Sequence, residues 1–279
     1  MSNFSGATKR GAVIVPACNE ATVIRRTLEP LSHAALQDFF ELIVVCNGCT
    51  DETAEVASSI PGVRVLDLPF GSKPAALNAG DDAATLWPRI YLDADIQVTS
   101  NTVLSLLDHL RSESAVAGTS VCAYDTGRAS VFVRSYFRAR ARLRDETRAI
   151  WGAGVYGINE AGHQRFGRFP DLTADDLFVD LQFKENEKLI VDGDPAVVTA
   201  PADLKSLLGT RKRAHRGNVQ IRREQRRPMD SLKTAGKVIT TVSDVGSAID
   251  ALTFFAIGVA RRVSRKKSTG WYQDRTSRY

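Results

Sequence analysis

Four cysteines in 279 residues are too few for a disulfide framework, and a chain of this length can bury a core of apolar side chains instead. Cys46 and Cys49 form a C-x-x-C, which would suit a redox pair or half a zinc site. Asn47 and Gly48 between them make an ordinary tight turn, and Cys18 and Cys122 do not obviously complete a zinc shell. A leader is also lacking, because Met1 to Arg10 is short and polar with no apolar stretch, so a cytoplasmic protein is expected. The apolar run from Ala248 to Ala260 is interrupted by Asp250 and is too short to span a bilayer. Neither G-x-G-x-x-G nor G-x-x-x-x-G-K-[ST] occurs, which removes the dinucleotide fingerprint and the P-loop. The Arg-rich stretches come without a nucleic-acid-binding motif, so no nucleic-acid partner is expected.

What is present is an ordinary globular composition, 43% hydrophobic and 25% charged, with a net charge of +5. The basic residues crowd into Arg134 to Arg148, Arg211 to Arg227 and Arg261 to Lys267. Ala12 to Val15 is a continuous apolar run ending at Pro16, the mark of a strand buried on both faces. A helix follows, with Ile24, Leu28 and Leu31 on one side. Leu42 to Val45 repeats the strand and breaks at Cys46 to Asp51, before a short helix with Ala54 and Ala57 inward. Val63 to Leu68 is a third extended piece. After it, Ser72, Lys73 and Pro74 open a helix through Ala83, with serine as cap and proline in the first turn. Alternating strands and helices predict an open, mostly parallel sheet whose ligand lies beyond the strands' carboxyl ends.

The fourth strand, Ile90 to Leu92, stops at Asp93, Ala94 and Asp95. An extended chain would send both carboxylates to one side, where they repel unless a cation is near; oxygen ligands suit Mg2+ or Mn2+. The plainer alternative is an acid pair that caps the helix from Asn101 to Leu110. Lys73, at a helix start after Gly71 and Ser72, is placed where free N–H groups attract anions, a diphosphate included. A solvated surface lysine is the alternative.

Four ordered segments, Val13 to Glu20 (VIVPACNE), Leu42 to Asp51 (LIVVCNGCTD), Gly71 to Gly80 (GSKPAALNAG) and Tyr91 to Ile96 (YLDADI), resemble the inverting family 2 glycosyltransferases of the GT-A fold. The resemblance implies that Pro16, Asn19 and Glu20 line a nucleoside pocket, that Lys73 approaches the diphosphate, that Asp93 meets the ribose and that Asp95 holds Mn2+ or Mg2+. Where the family often has paired aspartates in the second turn, this chain has Cys46 and Asn47. An amide both donates and accepts, so the base is open, with a UDP-sugar favoured and a GDP-sugar second.

Trp151 to Asn159 (WGAGVYGIN) is glycine-rich with interleaved aromatics, a composition suited to close approach of backbone to a sugar; a plain glycine-rich loop is the alternative. In Phe169 to Asp180 (FPDLTADDLFVD), the resemblance aligns Asp176 with the catalytic base, and Asp175 replaces the usual glutamate before it. The residues allow a helix capped by Thr173 or Asp175, with Leu177 and Leu181 inward and Asp176 in the first turn. The alternative is that both acids only cap that helix. Arg211 to Gly217 (RKRAHRG) resembles, more loosely, a basic loop before the family's closing helix, in which Arg213 and Arg216 reach the diphosphate and His215 completes the metal shell. A structural or solvated histidine is the alternative.

Arg134, Arg138 and Arg142 read as outward-facing. Leu232 to Val263 reads as an amphipathic helix with a basic end, an interfacial membrane element or a helix packed on its own domain or a partner. The expected architecture is an α/β, Rossmann-like open mixed sheet with helices on both faces and an amphipathic helical tail. Residues 1–100 would bind the nucleotide sugar, 101–228 the acceptor, and 229–279 form the tail. The resemblance implies metal-assisted sugar transfer, with inversion, to a glycan, lipid-linked or small-molecule acceptor, in the cytoplasm or on the inner face of the cell membrane. The rivals are a degenerate nucleotide-sugar-binding scaffold at a membrane surface and a sugar-1-phosphate nucleotidyltransferase. The latter class needs a Gly-rich, Arg-containing loop where Ala17 to Glu20 stands.

Overall fold

A computed structural model describes residues 9–112, 115–145, 149–172, 174–224 and 231–263. In chain order the first elements are β1 (Ala12–Ala17), α1 (Ile24–Leu36), β2 (Glu41–Asn47), α2 (Thr53–Ser58), β3 (Val63–Leu68), α3 (Lys73–Ala83), β4 (Arg89–Leu92) and α4 (Ser100–Arg111). They continue as β5 (Ala117–Asp125), α5 (Val131–Asp145), β6 (Val155–Ile158), α6 (Glu160–His163), α7 (Asp175–Asp180), β7 (Lys188–Thr199), α8 (Leu204–Glu224), α9 (Ser231–Thr240) and α10 (Val245–Val263). The seven strands form one mixed sheet in the order β3-β2-β1-β4-β6-β5-β7. β1 pairs in parallel with β2 and β4, β2 with β3, and β6 runs antiparallel to β4 and β5.

Contacts group the chain into two units, Met1–Cys122 with Ala149–Val198, and Ala123–Arg148 with Thr199–Tyr279. The first unit buries β1 on both faces by alternation: Val13 and Val15 join Leu28, Leu31 and Leu106 on one side, and Ala12 and Ile14 join Leu77 and Tyr91 on the other. Helices therefore cover both faces, and the polar turns after β1, β2, β3 and β4 share one edge.

Several local expectations change. Asp93 to Asp95 are not extended: the strand ends at Leu92, Ile96 N–H bonds back to Asp93 O at 3.2 Å, and Thr27 Oγ1 holds the carbonyl of Ala94 at 2.8 Å. The glycine-rich segment is only partly a loop, since buried Val155, Tyr156 and Ile158 make it a sheet strand between β4 and β5. The cap of α7 is Ala174, and Leu181 is only half-buried; Thr173 lies outside the described residues.

The second unit is built on α5, α8, α9 and α10 around Val133, Tyr136, Phe137, Leu207 and Ile257. Arg213, His215 and Arg216 lie within the 21-residue α8, not on a loop. Lysine and arginine are good helix formers, buried Leu207 and Ile221 supply an apolar face, and Asp203 Oδ1 accepts the N–H of Ser206 at 2.9 Å. The expected tail helix is two helices. The break follows a run of β-branched and hydroxyl residues, where Ser247 N–H bonds Asp244 Oδ1 at 2.8 Å and Asp244 N–H bonds Ser247 Oγ at 2.9 Å, a reciprocal cap that restarts the chain as α10. Arg138 and Arg142 are not simply outward. Both reach the buried Asp250 of α10, at 2.7 Å each, and Ser135 Oγ donates to the same carboxylate at 2.7 Å. Arg134 instead bonds the carbonyl of Ala129. Arg265, Lys266 and Lys267 lie outside the described residues.

Candidate active site

The turns at the carboxyl edge of β1 and β2 are tied to each other before any ligand is considered. Asn19, in the left-handed region at φ 55° that asparagine tolerates, accepts from Thr50 N–H at 2.8 Å. Glu20 N–H donates to Thr53 Oγ1 at 2.8 Å, and that hydroxyl donates in turn to Asp51. Pro16 and Glu20 are buried at the end and just beyond the end of β1. The Asn47 amide, also buried, donates to Ala17 O at 2.8 Å and accepts from Ser72 N–H at 3.1 Å, so one side chain fixes β1, β2 and the start of α3. Gly48 has φ 60°, and a Cβ there would stand 2.4 Å from Gly71 N. Only glycine lets the second turn lie against the loop that delivers Lys73.

The cysteines beside this turn are free thiols. Burial, then its neighbour Cys49, pushes the Cys46 thiol up to about 12, the reverse of the lowered value a redox pair needs.

Ser72 caps α3 through its bond from Ala75 N–H, which sets Lys73 at the helix start. Its Nζ donates to Asp93 Oδ1 at 2.7 Å and to Asp175 Oδ1 at 2.8 Å. Burial alone would lower its pKa, but Asp175 and Asp93 more than offset that and hold it above its ordinary value. The same burial pushes the Asp93 carboxyl up to about 6, with Asp175 and Asp95 adding repulsion against the pull of Lys73. A Cβ on Gly154, at φ 70°, would sit 2.4 Å from Ile96, and its carbonyl accepts Asp93 N–H at 2.8 Å, so this glycine sets the height of the Asp93 turn.

Asp175 and Asp176 open α7 and diverge. Asp175 is buried and turns to Lys73 and to the hydroxyl of Tyr156, which donates at 2.8 Å. Asp176 is half-buried; Oδ2 accepts Gly152 N–H and Oδ1 accepts Leu177 N–H, both at 2.7 Å. Its pKa is raised, by burial first and then by the charge of Asp175, with Lys73 and the two N–H groups opposing. Each oxygen keeps a lone pair beyond the one bond it accepts, so the carboxylate is oriented and still able to take a proton.

Asp95 is half-buried and, among the described residues, makes no ion pair or side-chain hydrogen bond. Among the described residues, Asp93 and Asp175 share the ammonium of Lys73 while Asp95 and Asp176 make no ion pair, an excess of negative charge that suits a divalent cation. Among the described residues no three His, Cys, Asp or Glu side chains form a ready metal shell. Arg213, His215 and Arg216 belong to the second unit.

Sequence reasoning missed the support of this cluster. Tyr156 and Tyr91 are register partners on β6 and β4 with rings stacked at 5.1 Å, and each hydroxyl goes to an aspartate, Tyr156 to Asp175 and Tyr91 to Asp81 at 2.7 Å. Asp81 also accepts from Arg89 and pairs with His163, both at 2.9 Å. The signal for Tyr156 was its alternation with Val155 and Gly157, legible only once that stretch is known to be a strand.

The sequence profile described as "Glycosyl transferase family 2" matches residues 12–164. Glycosyltransferase AglD of Haloferax volcanii is 31% identical over 117 residues, 39% of this chain and 19% of that protein, so the chain spans well under two thirds of this relative. Among solved structures, the mannosyltransferase PcManGT from Pyrobaculum calidifontis, in complex with GDP-Man and Mn2+, superposes with TM-score 0.58 at 16% identity, covering 95% of this chain and 92% of that one. TarS 1-349 of S. aureus, in complex with UDP-GlcNAc, gives TM-score 0.52 at 20% identity over 67% and 58% of the two chains. These structures share the GT-A fold, and the matched profile carries the four strand-end segments and the Asp93 turn: the chain belongs to glycosyl transferase family 2.

Proposed function

We propose that the chain transfers a sugar from a nucleoside diphosphate, UDP favoured and GDP second, to an acceptor hydroxyl with inversion at the anomeric carbon. The observation that carries this reading is the oriented Asp176 beside the Lys73, Asp93 and Asp175 cluster. In a single displacement the acceptor oxygen bonds to the anomeric carbon, its proton passes to Asp176, and the bond to the diphosphate breaks with the electron pair leaving on phosphate oxygen. Gly152 and Leu177 aim the base. Lys73, at the N-terminus of α3, meets the departing diphosphate while holding Asp93 and Asp175. Pro16, Asn19 and Glu20 bound the nucleoside, and Asn47 acts through its grip on the adjoining turns.

Asp93 meets the ribose, and a divalent ion, Mn2+ or Mg2+, would be held by Asp95 and would supply charge neutralisation for the leaving group. The family resemblance further gives Arg213 and Arg216 to the diphosphate and His215 to the metal, assignments that Arg213→Ala, Arg216→Ala and His215→Ala would each test by nucleotide affinity. The acceptor is a glycan, a lipid-linked or a small molecule, and an anionic membrane surface is the proposed location. Incubation with a panel of UDP- and GDP-sugars, reading nucleotide release with and without acceptors, tests the transfer. Release of nucleotide from one donor, dependent on Asp176, supports it; no turnover of any donor by a chain that binds nucleotide would reduce the protein to a scaffold.

A further inference from the structure

The helix α10 packs one apolar face inward and leaves a second one open. From Val245 to Ala260 its sequence holds one charged residue, Asp250, and that residue is buried, tied to Ser135, Arg138 and Arg142 of α5. Ile257 and Phe254 pack inward beside it, but four other aliphatic side chains point away: Val245 is 78% exposed, Ile249 54%, Leu252 69% and Val259 57%, with Ala256 exposed between them. Spacings of four and three residues put these five on one stripe of the helix. In α9 and the turn after it, Ile239 and Val242 are exposed as well. A helix packed on its own unit for stability alone would carry polar side chains on its outer face. Here the outer face is apolar, while the ion pairs to Asp250 fix which side faces inward.

We propose that this outward stripe is a docking surface for an anionic lipid bilayer. Charge chooses between a bilayer and a second copy of the chain. The sequence runs from the stripe directly into Arg261, Arg262, Arg265, Lys266 and Lys267, five cations in seven residues. The stripe of a second copy offers these cations no acid, because the one acidic residue between Val245 and Ala260 is the buried Asp250. An anionic headgroup layer satisfies every one of them, and apolar side chains next to a basic cluster are the two signals that together give stable interfacial binding. No helix among the described residues is long and apolar enough to cross a membrane, so the helix would lie along the surface. The surface is independent of the catalytic reading and stands or falls apart from it.

The test uses the full chain with vesicles of phosphatidylcholine alone and of phosphatidylcholine mixed with phosphatidylglycerol, at low and high salt, scored by co-sedimentation. Wild type is expected on the anionic vesicles and not on the neutral ones. The pair Ile249→Gln with Leu252→Gln should lose about tenfold in binding, as should high salt. The second pair, Val245→Gln with Val259→Gln, should act alike, and because all four positions are exposed the melting temperature should hold. Retained binding in both variants, equal binding to both vesicles, or a dimer in light scattering that these substitutions dissolve without any vesicle binding would each overturn the proposal.

Discussion

The hydroxyl of Tyr156 donates to the buried carboxylate of Asp175 at 2.8 Å, from the middle of the sheet to the first residue of α7. Lys73 takes the other oxygen of that carboxylate, so Asp175 is fixed from two sides and Asp176 inherits its position through the shared backbone. Tyr156→Phe leaves a buried charge one donor short, a loss of about 1.5–3 kcal/mol. Calorimetry should show the melting temperature several degrees lower, and turnover should fall more than nucleotide affinity. An unchanged melting temperature would mean that the bond contributes nothing.

Asp176→Asn keeps the shape and removes the proton acceptor. Transfer should fall by about 10²–10⁴ while nucleotide affinity stays within about twofold. Both are read on one preparation, by turnover and by titration calorimetry. Near-normal turnover would move the base to another group.

The pH dependence centres on Asp93, whose carboxyl is pushed from 3.8 to about 6 by burial, Asp175 and Asp95 against Lys73. Because the folded value is the higher one, folding favours the protonated form. Its contribution is complete below about pH 4 and is lost as the pH rises through about 6. Asp93→Asn, neutral throughout, should therefore melt higher than wild type at about pH 7.5 and lose that advantage near pH 4. Cation binding runs the other way and should weaken in wild type below about pH 6. A variant that melts lower at neutral pH would contradict this reading of the cluster.

In the second unit, burial alone would raise the Asp250 carboxyl, but bonds from Arg138, Arg142 and Ser135 hold it down at about 2. Here the folded value is the lower one, so the stabilisation is present above about pH 4 and fades as the pH falls toward about 2. Because Arg138 is itself exposed and Arg142 partly so, Asp250→Asn should cost about 1–2 kcal/mol at neutral pH, with the gap from wild type closing in acid. Thermal unfolding across that range measures it, and equal stability at neutral pH would show the contact to be idle.

The strand ends were legible because β1 and β2 are buried on both faces, and continuous apolar runs that stop at polar turns have one reading. Lys73 and Asp93 followed from those turns, although their ion pair did not, since no pattern in the sequence encodes a contact between α3 and the end of β4. β6 was hidden among its glycines, and Tyr156 with it. The basic run on α8 reads as a loop in the sequence because charge patterning by itself does not separate a loop from a solvated helix face. Arg138 and Arg142 read as solvent-facing because their partner, Asp250, lies more than a hundred residues away.

A cation beside Asp95 is what the proposed transfer requires first, and titration calorimetry of UDP and of GDP, with and without Mn2+, on wild type and on Asp95→Ala tests it most directly. Mn2+ should tighten one nucleotide by about tenfold or more on wild type and leave the variant unchanged, since a metal bridging carboxylate and phosphate requires both. No effect of metal on either nucleotide, or an equal effect on both proteins, would contradict it.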